Sequence, residues 1–416
     1  MRIRLMLVLI LLSSVIFAGG LNFSAIGRDG IAYYTVDSGE TWQVGNSNTS
    51  EYINAVATDR YGNFWAVGAD GMVLRSEDYG ASYENVHNLT KEIFNAIDID
   101  DQGRFVVVGS TGSIFASYDG GITFKNIGPD TDINLLDVNI DNPKLWIVVG
   151  IRGMILTSEN KGKTWVVIEK VSGSSYFNAI TYTKKGIYII AGTRGAVFNS
   201  KDGKIWKPRV FAEGFKGVIE GLASDSNGDV YAVGWSGIVF RSSDEGNTWT
   251  KVETGDDERL TAIAVLNGKI VLVGFSSAIL TNNENSWTIH DKLGRRHLIG
   301  VASNYLPDLT ITLKRTEGCQ IEITVSNKGP GRLTDKPYRD KLVGVHIYSD
   351  NKSVYTISLA ELDPDKKLKN KDTELKHKVG IKMTKDVKAS WSLNGIVKDY
   401  DMANNNATIH ECVIEK

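Results

Sequence analysis

Cysteine is nearly absent: only Cys319 and Cys412 occur in 416 residues, so a disulfide-stapled scaffold is excluded. Histidine is also scarce. The six residues His87, His290, His297, His346, His377 and His410 show no paired ligand spacing, so no zinc site, other metal or cofactor is assigned. Charge of one sign is missing as well. A net charge of −2 creates no field that would draw the chain to nucleic acid or anionic lipid. Motifs of the common chemistries are absent too: there is no G-x-S-x-G, no phosphate loop and no dinucleotide fingerprint. Long apolar runs are limited to one, Leu5 to Leu12, fading toward Phe17. It is shorter than the ~20 residues a membrane span needs.

That run has a basic start, Met1-Arg2-Ile3-Arg4, and ends in the small residues Ala18-Gly19-Gly20. The combination reads as a secretory signal peptide over residues 1–20, with cleavage before Leu21. No cysteine follows it, so a lipid anchor is not expected, and no membrane span remains after cleavage. The expected location is secreted, periplasmic or in the cell envelope. In such a compartment Cys319 and Cys412 are candidates for one disulfide; two buried free thiols are the alternative.

What the chain has is a repeat. An aromatic closing a turn phrase recurs at Trp42, Tyr83, Phe124, Trp165, Trp206, Trp249 and Trp287, spaced 41, 41, 41, 41, 43 and 38 residues apart. One unit, Asn54 to Val86, holds four short apolar stretches separated by Gly, Asn and Asp turns, the pattern of four antiparallel strands. A period near 40 residues with four strands per unit reads as an all-β, seven-bladed β-propeller over residues 21–303. Six units are complete. The mature N-terminus starts at a second strand, Phe23 to Gly27. Its missing first strand is expected from Leu298 to Ala302, so 298–302 closes the blade begun by 23–45 and leaves no open edge at the seam.

The phrase Ser/Thr-x-Asp-x-Gly-x-Thr-Trp needs no ligand to explain it. Its Asp accepts hydrogen bonds from its own turn, and its Gly adopts positive φ. The structural set is Asp37 with Trp42, Asp78 with Tyr83, Asp119 with Phe124, Asn160 with Trp165, Asp202 with Trp206, and Asp244 with Trp249. The fifth phrase is shortened, and the seventh, Asn282 to Trp287, has lost both Asp and Gly. Together with the Val/Ala-Gly-x-x-Gly element ahead of each phrase, these residues resemble the Asp-box (BNR) repeat. They also look like the photosystem II stability/assembly factor family of seven-bladed propellers. The resemblance covers Leu21 to Ala302 and implies the fold. Its relatives include assembly chaperones, sorting receptors and glycosidases, so it implies no single function. The opening Phe/Tyr-Arg-Ile-Pro motif of sialidases is absent, and an enzyme is not expected.

Beyond Ser303 the repeat stops. About seven short alternating stretches follow, and residues 304–416 are read as a C-terminal immunoglobulin-like β-sandwich. Leu306-Pro307-Asp308-Leu309, Val325-Ser326-Asn327-Lys328-Gly329 and Asn404-Asn405-Asn406-Ala407-Thr408 resemble the bacterial cell-adhesion-related (CARDB) domain.

For function the sequence points to binding. The G-x-x-G turns and the loops joining blades share the face opposite the Asp phrases. Their variable positions include Arg28, Asp70, Arg152, Arg194, Trp235, Phe275, Arg295 and Arg296, with Phe211 and Phe215 in a connecting loop. Arginine beside aromatics is the composition of protein-binding hot spots; plain exposed turn residues are the alternative. The matched pair Arg152 and Arg194 is the first choice. The expected partner is a protein of the envelope or extracellular space. A polysaccharide, bound or cleaved, is the other reading.

Overall fold

The computed structural model describes residues 21–168, 171, 176–283, 286–290, 294, 296–305, 309–315, 320–327, 343–349, 352–367, 373–382, 387–393 and 406–409. The signal-peptide reading, Arg295, Cys319 and Cys412 lie outside them. The chain divides into two compact units, one of them Leu21–Asn304 and the other containing the chain from Tyr305 onward.

The first unit is a seven-bladed propeller of four-stranded sheets. Blade 1 places the strand Leu298–Tyr305 beside Leu21–Gly27, followed by Ala32–Thr35 and Gln43–Val44. Blades 2 to 7 then follow chain order, with first strands Ile53–Thr58, Phe94–Ile99, Leu135–Asn139, Phe177–Tyr182, Ile219–Ser224 and Leu260–Leu266. Second strands such as Phe64–Gly68, Phe105–Gly109 and Trp146–Gly150 are buried along their whole length. They are continuous Val/Ile/aromatic runs because both faces of a blade pack on neighbouring blades. Each inter-blade layer is its own small core, for example Ile26, Ile53, Phe64, Leu74 and Tyr83 between blades 1 and 2.

The first strands lie side by side around the axis. In each of blades 2 to 7 the second residue of this strand is a β-bulge. Such an extra residue is re-aimed out of the ladder. Three bulges carry asparagine, and Asn54, Asn95 and Asn178 each donate from Nδ2 at 2.8 Å to the carbonyl opening the next blade's first strand. Thr261 does the same with its hydroxyl to Leu298 O at 2.8 Å. The side chains thus latch blade to blade.

A second ring of latches is made of backbone. In all seven blades the first residue of the G-x-x-G turn donates its amide to the carbonyl just before that blade's first strand, as in Ala69 N to Tyr52 O at 2.9 Å. The third residue donates to the next blade's entry segment, as in Gly71 N to Glu92 O at 2.8 Å and Gly237 N to Glu258 O at 2.9 Å. The two central residues of the turn are left-handed, a type I′ geometry; Arg152 has φ 58° and Gly153 φ 72°. Close approach favours glycine at the third position in blades 1 to 6; blade 7 carries Ser277 there at φ 56° and keeps the bond, to Arg296 O. A Cβ on Gly237 would stand 2.0 Å from Asp256 O, whereas one on Gly255, at φ 82°, meets nothing within 4 Å. Gly255→Ala is therefore expected to cost only the left-handed penalty of about 1 kcal/mol. Gly237→Ala is expected to cost at least about 2 kcal/mol more, read as the difference in urea midpoint; equal costs would refute the clasp.

The aspartate turns at the other end behave as self-contained caps. Asp119 accepts from Thr123 N at 2.9 Å, Thr123 Oγ1 at 2.6 Å and Ser117 Oγ at 2.8 Å. These bonds, the Thr123 hydroxyl first, hold its carboxyl down at about 2. Asp37, Asp78 and Asp244 repeat the pattern, and Asn160 reproduces it with Oδ1 on Thr164 N at 2.9 Å. The aromatics that close these turns are not equally buried. Tyr83 and Trp206 belong to the core, while Trp42, Phe124, Trp165 and Trp249 are only half-buried.

In the second unit, Leu309–Arg315, Gln320–Asn327 and Thr373–Lys382 form a three-stranded antiparallel sheet. Val343–Ser349 pairs with Lys352–Ser358 and Val387–Leu393, and the latter with Asn406–Ile409. A short helical turn, Leu359–Leu362, is fixed by a capping box between Ser358 and Glu361. Ile323, Val325, Val345, Ile357 and Leu359 are buried.

Candidate partner-binding face

The backbone clasp brings two positions together in every blade: the first turn residue and the residue just before the first strand. Around the ring these pairs alternate as Arg28, Tyr52, Ala69, Ile93, Ser110, Asn134, Ile151, Tyr176, Thr193, Val218, Trp235, Arg259, Phe275 and His297. The ring is strongly asymmetric. Blades 3 to 5 contribute small, polar or aliphatic residues and Tyr176. From blade 6 through blade 7 and blade 1 to blade 2, every position from Trp235 to Tyr52 is aromatic, imidazole or arginine.

Those six side chains form a connected run centred on Phe275, which meets Arg259, His297 and Arg28. Arg259 Cζ lies 4.8 Å from the Trp235 ring and 4.5 Å from the Phe275 ring. Phe275 stacks on His297 with centroids 3.9 Å apart. Arg28 Cζ lies 5.8 Å from the Phe275 ring and 5.6 Å from Tyr52. The His297 ring is oriented by Ser276 N, which donates to Nδ1 at 3.3 Å. Arg296 lies beside this run, its Nη1 donating to Asp29 O at 3.1 Å. Trp235 and Tyr52 are 46% and 49% exposed, so the belt is open to solvent at both ends. Cation–π pairs of this kind gain strength when a partner excludes water from them.

Glu220 shows why the belt is more than a decorated surface. It occupies the bulge position that carries asparagine in blades 2, 3 and 5. A carboxylate cannot donate to the neighbouring carbonyl, so the latch is lost there. Instead Glu220 Oε1 accepts from Trp235 Nε1 at 2.5 Å and from Arg259 Nη2 at 2.8 Å. One carboxylate oxygen thus ties the indole and the guanidinium together. Arg259 Nε is buried and has no acceptor among the described residues.

The structure therefore brings together Arg28, Trp235, Phe275 and, at the rim, Arg296. Asp70, Arg152 and Arg194 are exposed residues of the matching turns, Asp70 in blade 2 and the two arginines in blades 4 and 5, outside this run. Glu220, Arg259, Tyr52 and His297 were missed. They sit before or at the start of a first strand, and the signal for them is alignment of each entry residue with the turn that clasps it. Phe211 does not join the face: it is buried, packed at 5.0 Å on Phe240 and 4.8 Å on Trp249, with Phe215 edge-on to it.

The first strands place two further carboxylates near the axis. Asp98 accepts from Ile140 N at 2.7 Å and Asp137 from Ile180 N at 2.8 Å, each bridging to the next blade. Desolvation pushes Asp137 up to about 7; burial and the neighbouring Asp141 raise Asp98 as well. Free aspartate titrates near 4. Between those values the folded chain binds more protons than the unfolded one, so this group's contribution to stability falls as pH rises from about 4 to 7. Asp137→Asn should remove that slope. The parent is expected to lose about 1–3 kcal/mol relative to the variant between pH 4.5 and 8, measured by urea unfolding at both pH values. A difference independent of pH would overturn the assignment. Asp100 serves a turn, accepting from the Gln102 and Arg104 amides and pairing with the Arg104 side chain. No cluster of three metal-ligating side chains occurs among the described residues.

No protein-family model matches the sequence, and neither does any curated protein. Solved structures do match. YCF48 bound to D1 peptide is 16% identical, with a TM-score of 0.53 over 66% of this chain and 95% of that one. The WD40 propeller domain of Doa1 is 12% identical, with a TM-score of 0.54 over 66% and 96%. Virginiamycin B lyase from Staphylococcus aureus is 12% identical, with a TM-score of 0.53 over 65% and 90%. At these identities the likeness shows the propeller fold. Among the described residues no helix is long and apolar enough to cross a membrane.

Proposed function

We propose that this chain is an exported, non-catalytic binding protein of the cell envelope or extracellular space. Its propeller takes a protein partner on the G-x-x-G face, at the belt from Trp235 to Tyr52. The observation that carries the reading is Glu220, where the repeat gives up its inter-blade latch to brace Trp235 and Arg259. Leu136 at the blade 4 bulge also lacks the latch; what sets Glu220 apart is that its side chain bonds two belt residues instead. The likeness to YCF48 bound to D1 peptide supports a peptide or protein segment as ligand. Arg28, Arg259 and Arg296 favour an acidic one. The turn phrases act as Asp-box caps in this reading, and the second unit is a CARDB-like, immunoglobulin-like sandwich appended to the binding domain.

The glycan-cleaving alternative requires two cooperating carboxylates. In the belt, the Glu220 carboxylate is committed to Trp235 and Arg259. The test is a quantitative pull-down from envelope extract with the mature chain and an Arg259→Glu variant of equal melting temperature. A protein retained by the parent and lost by the variant supports the face. Equal retention sinks it, and retention of polysaccharide in place of protein favours the alternative.

A further inference from the structure

At the aspartate-turn end, blades 5 and 6 enclose a pocket of about 390 Å³ lined by Asn199, Lys201, Lys207, Arg209, Glu245 and Asn247, among others. This volume lies at the lower end of the range for small-ligand sites. The pocket lies at the shortened phrase. There Gly203 N reaches back three residues to Ser200 Oγ, where Gly121, Gly162 and Gly246 reach back four. Asn199 spans to the opposing turn, donating from Nδ2 to Glu245 O at 3.2 Å and to Asn247 Oδ1 at 3.3 Å.

The charges lining the pocket are not matched internally. Arg209 donates from Nη1 to Pro208 O at 3.1 Å, but its Nε is buried with no acceptor among the described residues. Lys201 and Lys207 form no ion pair among the described residues, unlike nearby Lys204, which pairs with Glu159 at 2.7 Å. Of the two acids, Asp202 is occupied by its own turn, accepting from Lys204 N and Ile205 N at 2.9 Å and from Ser200 Oγ at 3.1 Å. Three cations therefore face two carboxylates, Asp202 and Glu245, which leaves the lining with an excess of positive charge. A guanidinium is a fork on which a planar carboxylate binds with two parallel bonds.

We propose that this pocket binds a carboxylated sugar of the uronic-acid class. The ligand carboxylate pairs with the Arg209 guanidinium, with Lys207 as second cation. The ligand hydroxyls donate to the Glu245 carboxylate and meet the amides of Asn199 and Asn247, groups that a bare anion would not use. Ile187 and Ile205 supply the apolar wall. The site is separate from the belt and does not depend on the reading given to it.

The test is calorimetric titration of the full chain with glucuronate and galacturonate, their methyl esters, glucose and inorganic sulfate. Parallel titrations use Arg209→Ala and Lys207→Ala variants of unchanged melting temperature. The expected result is binding of at least one acid, weakened at least tenfold by esterification and by Arg209→Ala, and less strongly by Lys207→Ala. Absence of binding by both acids, equal binding of acid and ester, or affinities untouched in both variants would overturn the proposal. Sulfate binding as tightly as the sugar acid would also overturn it, reducing the pocket to an adventitious anion site.

Discussion

Tyr83→Ala is expected to destabilise the propeller by about 3–5 kcal/mol, the largest effect of any change in the repeat phrases. Tyr83 is fully buried between blades 1 and 2, against Ile26, Ile53, Phe64 and Leu74. Its hydroxyl lies 2.7 Å from Ser24 Oγ, itself buried, and its amide donates to Asn46 O at 2.8 Å. Burial raises the phenol pKa above its ordinary range, so the neutral hydroxyl is the bonded species. Truncation removes the ring from a buried layer and leaves the Ser24 hydroxyl only its long bond to Tyr33 O, at 3.4 Å. Tyr83→Phe isolates the second loss and should cost about 1–2 kcal/mol. Phe124→Ala, at the matching but half-buried position, should cost roughly 1.5 kcal/mol. Urea midpoints of the three variants check the ranking. A Tyr83→Ala cost no larger than that of Phe124→Ala would show that the phrase aromatics are interchangeable.

That ranking also marks what the sequence could tell. Spacing between phrase aromatics is a local property, set by four strands and three turns, so blade number and the all-β architecture were legible from one dimension. Burial of each aromatic was not, because it depends on what the adjacent blade presents: Tyr83 meets Ser24 and Ile26, while Trp42 packs edge-on against His290. The belt was only half legible for a related reason. Trp235, Phe275 and Arg28 stand in visible turns. Arg259 and His297 precede first strands and reach those turns through backbone hydrogen bonds between distant segments, such as Arg28 N to His297 O at 2.9 Å. Glu220 was hidden twice over. Its meaning depends on the bulge register, and that register becomes readable only when Asn54, Asn95 and Asn178 are seen bonded across blades.

The same asymmetry sets the strongest functional expectation. Trp235→Ala and Arg259→Ala should each weaken the captured partner by at least about 30-fold, the loss that corresponds to a 2 kcal/mol hot spot. Arg152→Glu/Arg194→Glu should change affinity less than either. Arg259 is held between two rings at 4.8 and 4.5 Å and tethered to Glu220, yet keeps a buried Nε without an acceptor. A partner carboxylate reaching the exposed part of this guanidinium would meet a cation already ordered by two rings and a carboxylate, so little is lost in fixing it on binding. Arg152 lies on an exposed turn in blade 4, where a charge contact is screened and weak. Because Trp235 acts by holding Arg259, the double variant Trp235→Ala/Arg259→Ala should lose less than the sum of the single losses. Surface plasmon resonance with the immobilised partner measures all four variants. Strict additivity would separate the two residues into independent contacts, and a dominant Arg152/Arg194 effect would move the site to blades 4 and 5. Affinity should also fall as salt is raised, since an acidic segment is drawn to Arg28 and Arg296 at the exposed rim. An affinity indifferent to salt would leave only the aromatic surface of Trp235, Phe275 and Tyr52 as the attraction, and the partner would then be apolar rather than acidic.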